Sequence, residues 1–69
     1  MGINKTIRSN NIAVLRKDRG YSQIDFAEKV GVTNWWLNHI ESGKHQPSLD
    51  LSMRIAEKLG VTLNDIFLE

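Results

Sequence analysis

The sequence predicts a small all-α domain, a compact bundle of four or five helices. Apolar residues recur at intervals of three and four along most of the chain, which is the period of a helix with one buried face. Glycine and proline fall between these stretches, where they interrupt regular structure. Apart from the short segment NKTIRS, apolar and polar residues do not alternate as in a strand. A chain of 69 residues has room for one domain, which we place over residues 1–69.

Two helices are predicted before Gly31. The first ends at Gly20, a typical residue for a helix C-terminus, and its apolar stripe consists of Ile7, Ile12 and Leu15. The second begins after Ser22, whose side chain is suited to capping a helix N-terminus, and has Asp25 in its first turn. Its inward face consists of Phe26, Ala27 and Val30.

Three further helices are predicted after Gly31. Thr33 caps the third helix, which carries the apolar residues Leu37 and Ile40 and ends at Ser42-Gly43. Ser48 caps the fourth, whose apolar residues are Leu49, Leu51, Ile55, Ala56 and Leu59. Thr62 begins a short fifth helix from Leu63 to Leu68, with Asp65 at its third position.

The composition excludes several classes of protein. Without cysteine, the chain has no disulfide or thiolate metal site, which is compatible with the reducing cytoplasm where we expect it to act. It lacks the run of about 18 apolar residues that a membrane span needs. We find no Ser/His/Asp set, glycine-rich phosphate loop or pair of carboxylates flanking a cleft, so we expect neither catalysis nor a cofactor. The formal charge of +1 is only a weak indication of a polyanionic partner.

The second and third helices are joined by a link of only about three residues around Gly31, which requires a sharp angle between them. This is the helix-turn-helix arrangement, here over about residues 22–42. Gly31 supplies the positive φ of a tight turn, and the small Ala27 lets the two helices cross closely. Beneath the pair we expect Val32, Leu37 and Ile40 to be buried.

With these residues named, the chain resembles the phage-repressor and Cro-like (Xre-type) helix-turn-helix family. The resemblance runs from about Ile12 to Phe67 and rests on the segments LRKDRGYSQIDFAEKVGV, IESGKHQPS and LDLSMRIAEKLGVTLNDIF. It implies a lambda-repressor-like DNA-binding domain that acts as a sequence-specific transcriptional regulator, a repressor in our interpretation. In such proteins the first turn of the third helix enters the major groove of double-stranded DNA.

The resemblance also implies which residues face the bases. Asn34, Trp35 and His39 fall on groove-facing positions, and Thr33 and Asn38 lie beside them. By side-chain type, an asparagine bonds adenine, Trp35 offers an apolar face to a thymine methyl group, and His39 donates to guanine. We therefore predict half-sites rich in A·T pairs.

Phosphate contacts are predicted around this helix. The resemblance assigns them to Gln23, to Trp36 and to the loop Lys44–Gln46, while free N–H groups after Ser48 suit an anion. Arg19 is added to this set because a basic side chain at the periphery suits a phosphate. The predicted set is therefore Gln23, Trp36, Lys44, His45, Gln46, Ser48 and Arg19. Arg16 and Glu41 match a pair that bonds internally in the family, so we assign them to structure.

The aromatic residues have alternative interpretations. Trp35 is also suited to packing against a neighbouring helix or a partner protein, and Trp36 is equally suited to phosphate contact through its indole N–H or to plain packing. His39 and His45 have no third ligand at a recognised spacing, so we expect no metal site.

A second copy of the chain is the predicted partner on a palindromic operator. One domain of this size reads few base pairs, and family members bind as dimers to half-sites about 34–36 Å apart. Leu63, Ile66, Phe67 and Leu68 offer more apolar surface than a short terminal helix buries. Because the family favours Leu63 and Phe67 as core residues, we expect Ile66 and Leu68, with Leu63 in support, at the interface. We find no segment for sensing a small molecule and expect no such effector.

An alternative class is a helix-turn-helix module that acts mainly through protein contact, as an antitoxin or a regulatory partner. The near-neutral charge and the tandem tryptophans keep this class open. The salt dependence of the affinity distinguishes DNA binding from protein contact. Binding to several phosphates weakens steeply as the salt concentration rises, whereas binding through an apolar protein interface does not.

Overall fold

A computed structural model describes residues 10–67, which form five helices. They are α1 (Ile12–Asp18), α2 (Gln23–Val30), α3 (Asn34–Glu41), α4 (Leu49–Leu59) and α5 (Leu63–Ile66). Ile7 and Leu68 lie outside the described residues. Between residues 10 and 67 no strand forms, only one bridge, so the all-α prediction is confirmed. None of the helices described there is long and apolar enough to cross a membrane.

Four of the helices begin where a hydroxyl side chain was predicted to cap them. The first turn of a helix leaves backbone N–H groups without a helical partner, and a serine or threonine oxygen accepts one of them. Here each capping oxygen accepts from the N–H three residues ahead, at 3.0–3.3 Å. The capping residues are Ser22, Thr33, Ser48 and Thr62. These helix starts are therefore encoded locally.

Gly31 separates α2 from α3. Its φ of 84° is left-handed, and its N–H donates to the Ala27 carbonyl at 2.9 Å, which closes α2. Thr33 is extended, with a ψ of 157°, before α3 begins. A Cβ at Gly31 would meet only the Arg54 Nη1 atom, at 3.6 Å, so it is the backbone conformation that requires glycine. The chain therefore turns at Gly31, as predicted, instead of continuing as one long helix.

The core is formed by one apolar face from each helix. Its fully buried large side chains are Ile12, Phe26, Val30, Leu37, Ile40, Ile55 and Ile66. Ala27 is 2% exposed, which fits the close packing of α2 on α3 that its size predicted. Val32 is half-buried and packs against the same core.

Leu49 does not belong to this core, contrary to its assignment to the apolar stripe of the fourth helix. It is 67% exposed. The buried face of α4 is set by Leu51, Ile55 and Leu59. Leu49 lies two residues before Leu51, about 200° around the helix axis, and therefore points to the opposite side.

The fifth helix is shorter than predicted, because the two ends of the described chain pair. Phe67 is extended and forms an antiparallel bridge with Asn10, and the Asn11 N–H donates to the Ile66 carbonyl at 2.6 Å. Asn10 is itself buried and donates from Nδ2 to the Ile40 carbonyl at 2.8 Å. The bridge thus ends α5 at Ile66 and presses it onto the core.

A capping box holds the start of α5. The Asp65 carboxylate accepts from the backbone N–H of Thr62 at 2.9 Å and from the Thr62 hydroxyl at 3.0 Å, and these bonds lower the pKa of Asp65. The folded pKa lies below the unfolded one. The stabilisation is therefore present above the ordinary aspartate pKa and is lost as the pH falls through the lowered value.

Candidate nucleic-acid interface

Helix α3 has one buried face and one exposed face. Leu37 and Ile40 are fully buried, whereas Asn34 and Asn38 are exposed and Trp35 is 57% exposed. The period of 3.6 residues places the exposed positions together on the outer side. Of the predicted base-contacting residues of α3, Asn34, Trp35 and Asn38 therefore project from the fold together, while His39 is half-buried.

The rings of Trp35, Trp36, His39 and His45 pack together, stacked or tilted against one another, and we call them the aromatic cluster. The Trp35 and His39 ring centroids are 3.9 Å apart, and those of Trp36 and His45 are 4.8 Å apart. The two indoles lie at 5.8 Å and the two imidazoles at 5.5 Å. The cluster joins the first two turns of α3 to the loop that follows the helix.

His39 has a defined hydrogen-bonding role. Its Nδ1 lies 3.0 Å from the Trp35 carbonyl oxygen, which only accepts, so Nδ1 carries the proton of this bond. In the neutral ring, Nε2 is then an acceptor. In this tautomer Nε2 does not donate, so donation from His39 to guanine would need a doubly protonated ring and stays a prediction. Within residues 10–67 no three His, Cys, Asp or Glu side chains are grouped to hold a metal ion.

Trp36 differs from Trp35 in its surroundings. It is half-buried, packs against the hydrophobic core and stacks on His45. These contacts support the packing interpretation of Trp36. Phosphate contact through its indole N–H stays a prediction.

Arg16 and Glu41 form a buried ion pair, as the resemblance implies. Arg16 Nε donates to Glu41 Oε2 at 2.7 Å and Nη2 to Oε1 at 3.2 Å, and both residues are 6% exposed. Arg16 Nη1 also donates to the Tyr21 carbonyl at 2.8 Å, and Gln23 Nε2 to Glu41 Oε1 at 3.1 Å. This network fixes the start of α2 against the end of α3. It also engages one amide hydrogen of Gln23, whose predicted phosphate contact would use the other.

The loop after α3 lies beside the exposed face of the helix. Gly43 has a φ of 82°, and the Lys44 and His45 N–H groups donate to the His39 carbonyl at 2.9 and 3.2 Å. Lys44, His45 and Gln46 are exposed. Stacking of His45 on Trp36 ties the loop to α3. We call the exposed side chains of α3 together with Lys44–Gln46 the recognition surface. Ser48, which caps α4, follows this loop after Pro47.

Arg19 lies elsewhere, contrary to the prediction that it joins these phosphate-binding residues. Its Nε donates to the Leu59 carbonyl at 2.6 Å, and its Nη1 lies 3.5 Å from Asp18 Oδ2. Leu59 is the last residue of α4, about 16 Å along the helix from Ser48. Arg19 therefore stabilises the carbonyl end of α4, the end remote from the recognition surface.

The predicted dimer surface also needs correction. Ile66 is fully buried within the single chain, so the prediction that it faces a second copy is wrong. The Asn10–Phe67 bridge carries Ile66 into the core. Leu63 and Phe67 are half-buried and pack against the core, in agreement with the core positions that the family resemblance favours for them. The large exposed apolar side chains outside α3 include Leu49 and Met53, one turn apart on α4; the sequence interpretation assigned Leu49 to the buried stripe and did not name Met53.

Most of the chain matches a known protein family. Residues 12–66 match the family model described as Helix-turn-helix. An uncharacterized HTH-type transcriptional regulator of Methanocaldococcus jannaschii is 39% identical over 59 residues, covering 86% of this chain and 89% of its own length. The HTH-type regulator YgzD of Bacillus subtilis is 38% identical over 58 residues, covering 84% and 88%.

A solved structure extends this similarity to the fold. The biofilm regulator SinR, crystallised in complex with DNA, superposes with a TM-score of 0.70 at 34% identity, covering 75% of this chain and 84% of SinR. The match to the family model spans most of the chain, and the relatives align over most of their length. The chain therefore belongs to the Xre/Cro-like helix-turn-helix family of DNA-binding transcriptional regulators.

Proposed function

We propose that this chain binds double-stranded DNA at specific sequences and represses transcription, with the first turn of α3 in the major groove. The observation that carries the proposal is the division of α3 between buried Leu37 and Ile40 and exposed Asn34, Trp35 and Asn38. Those exposed side chains have no role in the core, and they stand at the start of a capped helix beside a basic loop. The presence of DNA in the SinR structure supports the same use of the fold.

The neutral character of α3 is compatible with this role. The helix contains no Lys or Arg, and its one acidic residue, Glu41, is buried in the ion pair with Arg16. Base edges in the major groove present dipoles and methyl groups, not full charges. Phosphates would instead meet Lys44 and the N–H groups at the starts of α2, α3 and α4, which attract anions. We propose Gln23, Lys44, His45 and Gln46 as the phosphate-contacting side chains, with Ser48 at the edge.

Asn34 and Asn38 are the proposed readers of adenine. Both are exposed and lie one turn apart on α3. An asparagine amide bonds adenine N6 and N7 together, which favours half-sites rich in A·T pairs. Thr33 is exposed as well, but its hydroxyl oxygen accepts the Trp36 N–H as the helix cap, which leaves the O–H hydrogen and one lone pair for DNA.

We also propose that two copies bind a palindromic operator, because one domain reads few base pairs and half-sites about 34–36 Å apart require two-fold symmetry. Ile66 takes no part in joining the copies, and a charge introduced there would enter the core. Leu63 retains some exposed surface, so it stays in the proposed interface, and Leu68, outside the described residues, is proposed with it from the sequence alone.

A helix-turn-helix module acting through protein contact is the second candidate. The exposed apolar side chains of Leu49 and Met53 favour it, because contiguous apolar surface is typical of protein interfaces. This surface lies on α4 and does not compete with α3, so the two candidates are separable by experiment.

The test is selection of bound sequences from a random DNA pool, followed by affinity measurements on the selected site at several salt concentrations. We expect A·T-rich half-sites and a log–log slope of about −0.9 for each contacted phosphate. Lys44→Ala should make the slope shallower by about 0.9. The matched control Lys58→Ala, at the far end of α4, should not change it. A pool without enriched sequences, or an affinity indifferent to salt, would contradict the proposal and favour protein contact.

A further inference from the structure

Trp35 is a large apolar ring that the protein holds in place on its surface. Trp35 is 57% exposed, although its ring packs against that of His39, tilted by 30° at a centroid distance of 3.9 Å, and stacks on that of Trp36 at 5.8 Å. His39 is itself held by the bond from Nδ1 to the Trp35 carbonyl. Each ring therefore restricts the other, and both belong to consecutive turns of one helix.

Such an arrangement lowers the entropic cost of binding. A side chain that is already immobilised loses little rotamer freedom when a ligand contacts it, whereas a free one costs about 0.5–1.5 kcal/mol. Aromatic rings with few torsions are efficient contact surfaces for this reason. The exposed indole is thus preorganised for contact with an apolar group.

The major groove offers one apolar group, the C5-methyl of thymine. It also offers exocyclic amino donors, N6 of adenine and N4 of cytosine, next to acceptors. The indole of Trp35 suits the methyl group, and the Nε2 acceptor of neutral His39 suits an amino group. The two ring centroids lie only 3.9 Å apart, so the chemical groups that they contact would be close neighbours in the groove.

We propose that Trp35 and His39 act as one unit of two packed rings that determines sequence specificity by reading a thymine methyl group together with a neighbouring exocyclic amino group. His39 has two roles in this unit: it positions the indole, and it accepts a hydrogen bond from the amino group. The inference rests on the proposed DNA binding and names the chemical groups that this part of the recognition surface requires.

Single-group substitutions in the selected operator test the unit. Uracil in place of thymine removes only the methyl group, and purine in place of adenine removes only the amino group. At one thymine of a half-site we expect uracil to weaken wild-type binding about four-fold, the value for one buried methyl-sized group. Replacing a neighbouring adenine by purine, or a neighbouring cytosine by 2-pyrimidinone, should lower the affinity about five-fold or more.

Protein variants separate the two roles. We call the loss of affinity on replacing thymine by uracil the uracil effect, and the loss on removing the exocyclic amino group the amino effect. Trp35→Ala should abolish the uracil effect. His39→Phe keeps an aromatic ring beside Trp35 but has no Nε2 acceptor. This variant should therefore retain the uracil effect and lose the amino effect. His39→Ala should weaken both. Met53→Ala, an exposed apolar residue on α4, is the matched control and should keep both effects.

The outcomes distinguish this inference from the proposed function. The Trp35–His39 unit is overturned, while DNA binding stands, if the operator is bound but no thymine-to-uracil change lowers the affinity. The same conclusion follows if the uracil effect persists in Trp35→Ala. The same holds if His39→Phe keeps the amino effect. If no DNA sequence is selected, both are overturned.

Discussion

Glu41→Ala is expected to lower the free energy of unfolding by about 3–5 kcal/mol, because it leaves the Arg16 guanidinium buried without a counter-charge. Glu41 accepts from Arg16 Nε and Nη2 and from Gln23 Nε2, so one substitution removes three acceptor contacts. A domain of this size has a total stability of only about 3–10 kcal/mol. The variant should therefore lose a large share of the domain's stability, and it would unfold at 25 °C if the wild-type stability lies at the lower end of this range.

Urea denaturation followed by circular dichroism measures this effect. Glu57→Ala, an exposed glutamate on α4, is the matched control and should change stability by less than about 0.5 kcal/mol. The double variant Arg16→Met/Glu41→Leu removes both charges and should recover much of the loss, because an apolar pair needs no counter-charge. A Glu41→Ala protein as stable as its control would show that the buried pair is not needed for stability.

Asn34→Ala/Asn38→Ala is expected to weaken binding to the selected operator by roughly 5- to 150-fold, the equivalent of one bidentate amide–adenine contact of about 1–3 kcal/mol. Both side chains are exposed on α3 and neither belongs to the core. Alanine is also the better helix former. Stability should therefore be unchanged or slightly raised while affinity falls.

Fluorescence anisotropy with labelled operator and with a scrambled duplex measures the specific part of this loss. Affinity for the scrambled duplex should hardly change, since base contacts specify sequence and phosphate contacts do not. Asn64→Ala, an exposed asparagine on α5, is the control and should bind as the wild type does. An equal loss on both duplexes would contradict adenine reading by these residues.

Local features of the fold were predictable from the sequence. Helix starts at Ser22, Thr33, Ser48 and Thr62, and the turn at Gly31, depend on side chains within a few residues of one another. The direction in which α3 faces was predictable for the same reason, because the helical period fixes Leu37 and Ile40 opposite Asn34 and Asn38.

The wrong assignments involve contacts between residues distant in sequence. Ile66 is buried because residues 10 and 67 pair across the chain, and Arg19 is engaged by a carbonyl 40 residues away. No local pattern encodes either contact. The aromatic cluster is an intermediate case. Trp35 and His39 are one turn apart and were predictable neighbours, whereas His45 joins them only because Gly43 turns the loop back toward α3.

Shielding of Trp35 by operator DNA tests the central claim most directly, namely that the exposed face of α3 is the DNA-contacting surface. In a Trp36→Phe variant, Trp35 is the only indole, and acrylamide quenching reports its exposure. We expect quenching to fall markedly when operator saturates the protein, because an indole that is 57% exposed becomes covered by the major groove. If anisotropy shows full binding while quenching of Trp35 stays unchanged, the DNA lies on another surface and the account of α3 is contradicted.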